Sequence, residues 1–139
     1  SQRGALEQLR ADLGLDKKVR FLGLVRDLGV EMAKADIFAL SSRFEGFPNV
    51  LIEAMECGVA PVSFDCPSGP GEIISNGVDG LLVSDGDIGA FASSLVRAAR
   101  DGRLRHQLAQ AAQGKAKMYD IKRIAARWLQ LFHEAAADR

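Results

Sequence analysis

The sequence predicts one α/β domain over residues 1–139, a parallel sheet flanked by helices and closed by a helical C-terminal tail. Three observations predict it. The runs "DIFAL" (36–40), "APVSF" (60–64) and "GLLV" (80–83) are apolar without alternation, as strands covered on both faces of a parallel sheet are. Helical patterns separate them, which is the βαβ rhythm of a parallel sheet. After residue 86 only helical periodicity remains.

Taken in order, "GALEQLRADLGL" predicts a helix over about residues 3–14. Leu6, Leu9, Leu13 and Leu15 form its apolar face, and Gly14 is its stop. "VRFLG" (19–23) reads as a strand and "LGVEMAKA" (28–35) as a helix. A helix from about Asn49 to Cys57 follows the "DIFAL" strand and ends at Gly58. "GPGEIISN" (69–76) is a short helix, and the segments 87–101, 103–119 and 120–136 read as three more. The chain enters its first helix almost at Ser1 with no strand before it, which is how an excised or processed fragment would start.

The bulk numbers narrow the function. With 47% hydrophobic and 26% charged residues and a formal net charge of zero, the chain has an ordinary globular composition. It carries no basic stripe for nucleic acid and no apolar run of membrane-spanning length. Cys57 and Cys66 make no disulfide framework, and no His or Cys cluster has zinc spacing. The cytoplasm is the expected compartment.

"RFEGFPNVLIEAMECG" (43–58) carries the chemistry. Glu45 and Glu53 stand eight apart, and Gly46 and Pro48 make one continuous helix from Glu45 unfavourable. Asn49 is therefore expected to cap a helix that holds Glu53 about one turn inside. Such an entrance at the carboxyl edge of a parallel sheet suits a phosphate, and Gly46 leaves room for close backbone approach. The two carboxylates suit hydroxyl groups. A nucleotide-sugar, with a ribose and a hexose flanking a diphosphate, would use both. The plain alternative is a solvated loop acid at Glu45 and a helix-surface acid at Glu53.

"EGFPNVLIEAMECGVAPVSFDCPSGPGEIISNGVDGLLV" (45–83) closely resembles the family 4 retaining glycosyltransferases, whose GT-B fold pairs two Rossmann-like domains. Glu45 and Glu53 fit that family's E-x7-E signature, and the flanking "VRFLGLV…LGVEMAKADIFALSS" and "GLLVSDGDIGAFASSLVRAARD" fit its C-terminal, donor-binding domain. The resemblance implies that Glu45 lies by the donor sugar as a catalytic residue and that Glu53 binds the ribose. It implies that the segment Gly46, Phe47, Pro48, Asn49, Val50 and Leu51 presents its amides to the hexose and distal phosphate, with Leu24 and Val25 beside the base. "CPSGPGEII" (66–74) resembles the subgroup using UDP-hexoses or UDP-N-acetylhexosamines to build cell-surface glycans. The expected partners are a nucleotide-diphosphate sugar and a glycan or glycolipid acceptor, with no metal or other cofactor.

The chain also departs from the family. Two further strands, an Arg/Lys pair clamping the diphosphate, a glycine-rich turn and the whole N-terminal acceptor domain with its histidine are not in these residues. In the family's sheet order "VRFLG" would then stand apart from the other strands, or pair with one of them in a different arrangement. The chain alone is expected to be inactive. The alternatives are a non-catalytic nucleotide-sugar-binding or scaffold fragment and a GT-B sugar-nucleotide epimerase, the latter disfavoured by the intact "EGFPNVLIE".

Other features have plainer readings. In Asp85-Gly86-Asp87, a D-x-D, Asp87 is explained as a helix cap without a metal. His106 and His133 read as helix-surface or packing residues, and Cys57 and Cys66 as small apolar residues. Trp128, Leu131 and Phe132 default to core packing, with part of their face a candidate docking stripe for the N-terminal domain. Arg43 is placed to steer a phosphate or to pair with Glu45.

Overall fold

A computed structural model describes residues 2–137. Its centre is a three-stranded parallel sheet in the order β1 (Ile37–Leu40), β2 (Ala60–Asp65), β3 (Leu81–Ser84). The register sets Ile37 against Ala60 and Val62 against Leu81. Helices α3 (Asn49–Glu56) and α4 (Pro70–Ile73) are the crossovers. Helices α5 (Ile88–Arg100) and α6 (Gly102–Ala116) complete the cover. Period-two alternation points Ala60, Val62 and Phe64 to one side of β2 and Pro61 and Ser63 to the other, and all five are buried.

Two apolar clusters hold this unit together. Leu40, Leu51, Ile52, Met55, Ile73, Ile74, Ala112 and Ala116 join α3, α4 and α6 to the end of β1. Val62, Phe64, Leu81, Val83, Phe91 and Ala98 join β2 and β3 to α5, with Leu108 of α6 added. The helix ends follow local rules. Asp87 caps α5 by accepting from the Ala90 amide at 2.9 Å, as the D-x-D reading expects. Gly58 stops α3 at φ +72, where a side chain would be strained.

Three expectations need correction. Residues 19–23 form no strand. A strand exists only through a ladder, and β1 pairs with β2 alone, so among the described residues no strand pairs with "VRFLG". This segment instead lies against α1 (Gln2–Asp12), with Arg3 and Arg10 over the Phe21 ring at 5.8 and 5.5 Å. The helix read over 28–35 shortens to α2 (Leu28–Met32), capped by Asp27 and tied to α3 where the Cys57 thiol donates to the Gly29 carbonyl at 3.7 Å.

The third concerns the tail. The helix read over 103–119 ends at Ala116, and a 3-10 turn, Lys117–Tyr119, follows. Asp120 then accepts from the Lys122 and Arg123 amides at 2.9 and 3.4 Å and starts α7 (Ile121–Ala137). No residue of α7 is buried, so Trp128, Leu131 and Phe132 are not core. No described helix is long and apolar enough to cross a membrane.

Candidate functional site

The loop from β1 to α3, residues 41–48, lies at the carboxyl end of the first strand, where open α/β sheets bind ligands. Pro48 is the residue before α3, and Asn49 is its first helical residue rather than its cap. The Asn49 amide donates to Phe47 O and the Leu51 amide to Pro48 O, both at 2.9 Å. Val50 stands at the second helical position, where no intrahelical acceptor exists for its amide. The entrance is shaped by a buried proline, not by a capping side chain.

The loop between β2 and α4 packs against Pro48. Gly69 sits there at φ +152, and a Cβ on it would come 2.7 Å from Pro48 Cδ and 3.6 Å from Glu45 Cβ. Only glycine admits that approach. The residue before it, Ser68, is left-handed at φ +62. Glu45 is thus half-buried against this second loop. Beside it the buried Cys66 thiol is pushed above its ordinary value, first by burial and then by the negative charges of Asp85, Glu45 and, least, Asp65.

Glu53 has a different setting. The buried face of α3 is Leu51, Ile52, Ala54 and Met55, which turns Asn49, Glu53 and Glu56 to solvent. A groove of about 460 Å³ runs along that exposed face, lined by Phe47, Asn49, Ile52, Glu53, Glu56, Tyr119 and Ile124. The structure therefore brings Phe47, Asn49 and Glu53 together and sets Glu45 against the Gly69 loop. A Cβ on Gly46 would meet no atom within 4 Å, so its backbone is open to approach. Leu51 is fully buried and Val50 half-buried, so the backbone is what Leu51 offers a ligand.

Leu24 is fully exposed at the tip of its segment and Val25 is half-buried; neither lines the groove. Arg43 is exposed and forms no ion pair with Glu45 among the described residues. Tyr119 and Ile124 are not legible as groove residues, because what brings them to Phe47 and Glu53 is the docking of the tail on α3. The helix start read at Asp120 agrees with its side chain accepting from the Lys122 amide, but it carries no signal of the groove.

With this geometry in hand, comparison with known proteins is specific. The family described as "Glycosyl transferases group 1" matches residues 1–101. The exopolysaccharide phosphotransferase SCO2592 of Streptomyces coelicolor is 34% identical over 139 residues, 99% of this chain and 15% of that protein. An N-acetylgalactosamine-N,N'-diacetylbacillosaminyl-diphospho-undecaprenol 4-alpha-N-acetylgalactosaminyltransferase of Campylobacter jejuni is 37% identical over 114 residues, 82% of this chain and 31% of that protein. The crystal structure of Anabaena Alr3699/HepE in complex with UDP matches with a TM-score of 0.89 at 29% identity, over 94% of this chain and 36% of that one. The same protein has a complex with UDP-glucose. This chain thus spans a third or less of the two curated relatives' lengths.

Proposed function

The chain belongs to the group 1 glycosyl transferases, and from that premise we propose that it is the donor-binding part of a retaining enzyme. The parent transfers a hexose or N-acetylhexosamine from a nucleotide-diphosphate sugar, a UDP-sugar by preference, to a cell-surface or lipid-linked glycan. Glu45 orients the hexose and Glu53 holds the ribose hydroxyls. The amides and dipole at the α3 entrance stabilise negative charge as the UDP leaves, without a metal. The basic pair, the acceptor site and the histidine of the N-terminal domain lie elsewhere in the parent polypeptide, which works at the cytoplasmic membrane face.

The observation that carries this reading is the convergence of Phe47, Asn49 and Glu53 on one groove beside the backbone-open Gly46, in a fold shared with a UDP-bound protein. The test is a titration of the chain with UDP, followed through the amide resonances of residues 45–53. Shifts there that are lost in Glu53→Ala and weakened in Gly46→Ala support the reading. Gly46→Ala is informative because the added methyl meets no protein atom. A folded spectrum that does not move at millimolar UDP refutes nucleotide binding by this chain. Turnover of a UDP-sugar with a glycolipid acceptor by these 139 residues alone would refute the division of labour.

A further inference from the structure

The wall of the groove opposite α3 belongs to the tail. α6 stops at Ala116, and the 3-10 turn places Tyr119, half-buried, against the α3–α6 cluster. The Tyr119 and Phe47 rings meet with centroids 6.1 Å apart, tilted by 55°. Both line the groove with Asn49, Glu53 and Glu56. A break in a distal helix thus delivers an aromatic ring to the segment that carries the acid pair.

The lining selects a ligand class. Among the described residues, this groove is lined by two carboxylates and no cation. The adjoining concavity, about 620 Å³ and sharing Glu56, sets Lys117 and Arg123 beside Glu56 and Asp120, so it adds no net positive charge. A diphosphate is therefore poorly matched to the groove. A neutral ring with hydroxyls on its rim and C–H bonds on its faces is well matched. Carboxylates accept from the hydroxyls, and aromatic rings take the C–H face. The volume falls in the range of small-molecule sites, roughly 300–1,000 Å³. Resting on the donor-binding reading above, we propose that Tyr119, with Phe47, is a sugar-binding residue of this site, packing on the ring whose hydroxyls Glu53 accepts. With Glu53 on the ribose hydroxyls, that ring is the pentose of the donor.

Tyr119 is the single tyrosine of the chain, so its ring resonances are an unambiguous probe. UDP and UDP-glucose are titrated into the wild-type chain, Tyr119→Phe, Tyr119→Leu and Glu53→Ala. The Tyr119 ring signals are expected to shift along the same isotherm as the Glu53 amide. Tyr119→Leu, which keeps apolar bulk without a ring, raises Kd about tenfold, as loss of aromatic stacking does, while Tyr119→Phe binds as the wild type does. An equal loss for UDP and UDP-glucose is the expected result for the pentose; a loss for UDP-glucose alone overturns the placing of Tyr119 on the ring that Glu53 holds. Glu53 shifts with silent Tyr119 rings, or wild-type affinity in Tyr119→Leu while Glu53→Ala fails, overturns the role of Tyr119 and leaves donor binding standing. Silence at both residues overturns both.

Discussion

Residues 37–116 and the two flanking regions have similar apolar content and opposite fates. In the middle, Leu51, Met55, Val62 and Ile73 are essentially fully buried between sheet and helices. In the flanks, Leu6 and Leu9 of α1, Leu13 just after it, and Trp128, Leu129 and Phe132 of α7 are each half-exposed or more. Both flanking helices are amphipathic, so the difference does not lie in local pattern. It lies in whether a second surface is present to complete the contact. The middle closes on itself because β1, β2 and β3 ladder together and α3, α5 and α6 cover them. α1 and α7 show mostly local contacts, such as the Arg3–Glu7 pair at 2.8 Å and the Trp128–Phe132 rings at 5.8 Å, while α2 and Tyr119 reach the middle through Cys57 and Phe47.

Substitutions sharpen this contrast, the largest effects falling in the middle. Leu51→Ala should destabilise the chain by about 3 kcal/mol in urea unfolding, since it removes fully buried methyl groups and leaves a cavity. An effect near zero would mean that the central core is not closed. Next is the Lys115–Asp79 ion pair at 3.0 Å, where Asp79 is buried and also accepts from the Ser75 amide at 2.7 Å. Lys115→Met should cost about 2 kcal/mol by leaving that carboxylate under-satisfied. It would loosen the α4–β3 turn that Lys115 also reaches through Ser75 Oγ at 2.9 Å.

Cys66 gives a pH-dependent test inside the middle region. Its folded-state value is raised, so its contribution is fully present below the unfolded thiol's value near 9.0 and is lost as pH rises through the folded value. The stability difference between wild type and Cys66→Ala should be flat from neutral pH to about 8 and shrink above about 9. A difference that grows in alkali would contradict the burial and acid surroundings of the thiol. The smallest effect belongs to the flanks: Trp128→Ser should change stability by less than about 0.5 kcal/mol, because its ring is more than half exposed and pairs with Phe132 of the same helix. A loss comparable to Leu51→Ala would break the comparison, showing that the α7 face is covered in solution.

The candidate site divides along similar lines. Glu53 was legible as an exposed helix acid because α3 alternates buried and solvent-facing residues at helical spacing. The Asp87 cap was legible because its rule spans three residues. Asn49 as a cap was misjudged: capping preference was outweighed by Pro48, which Gly69, distant in sequence, holds in place. The separate setting of Glu45 had the same cause. Eight residues of spacing say nothing of a loop arriving from the end of another strand.

The sequence by itself determined the alternation of strands and helices, the three parallel strands, the Gly58 stop of α3 and the acid pair at the sheet's carboxyl edge. All of these rest on patterns within one turn of helix, one strand or one loop. Tertiary structure alone decided that residues 19–23 form no strand, that α7 keeps its apolar face exposed, and that Tyr119 shares a groove with Glu53. It also decided that the charges of Asp85 and Glu45 bear on Cys66. Each of those depends on whether a partner from far along the chain is present and where it docks. Ladder formation, burial and charge proximity are properties of pairs of segments, and no local pattern encodes the second member.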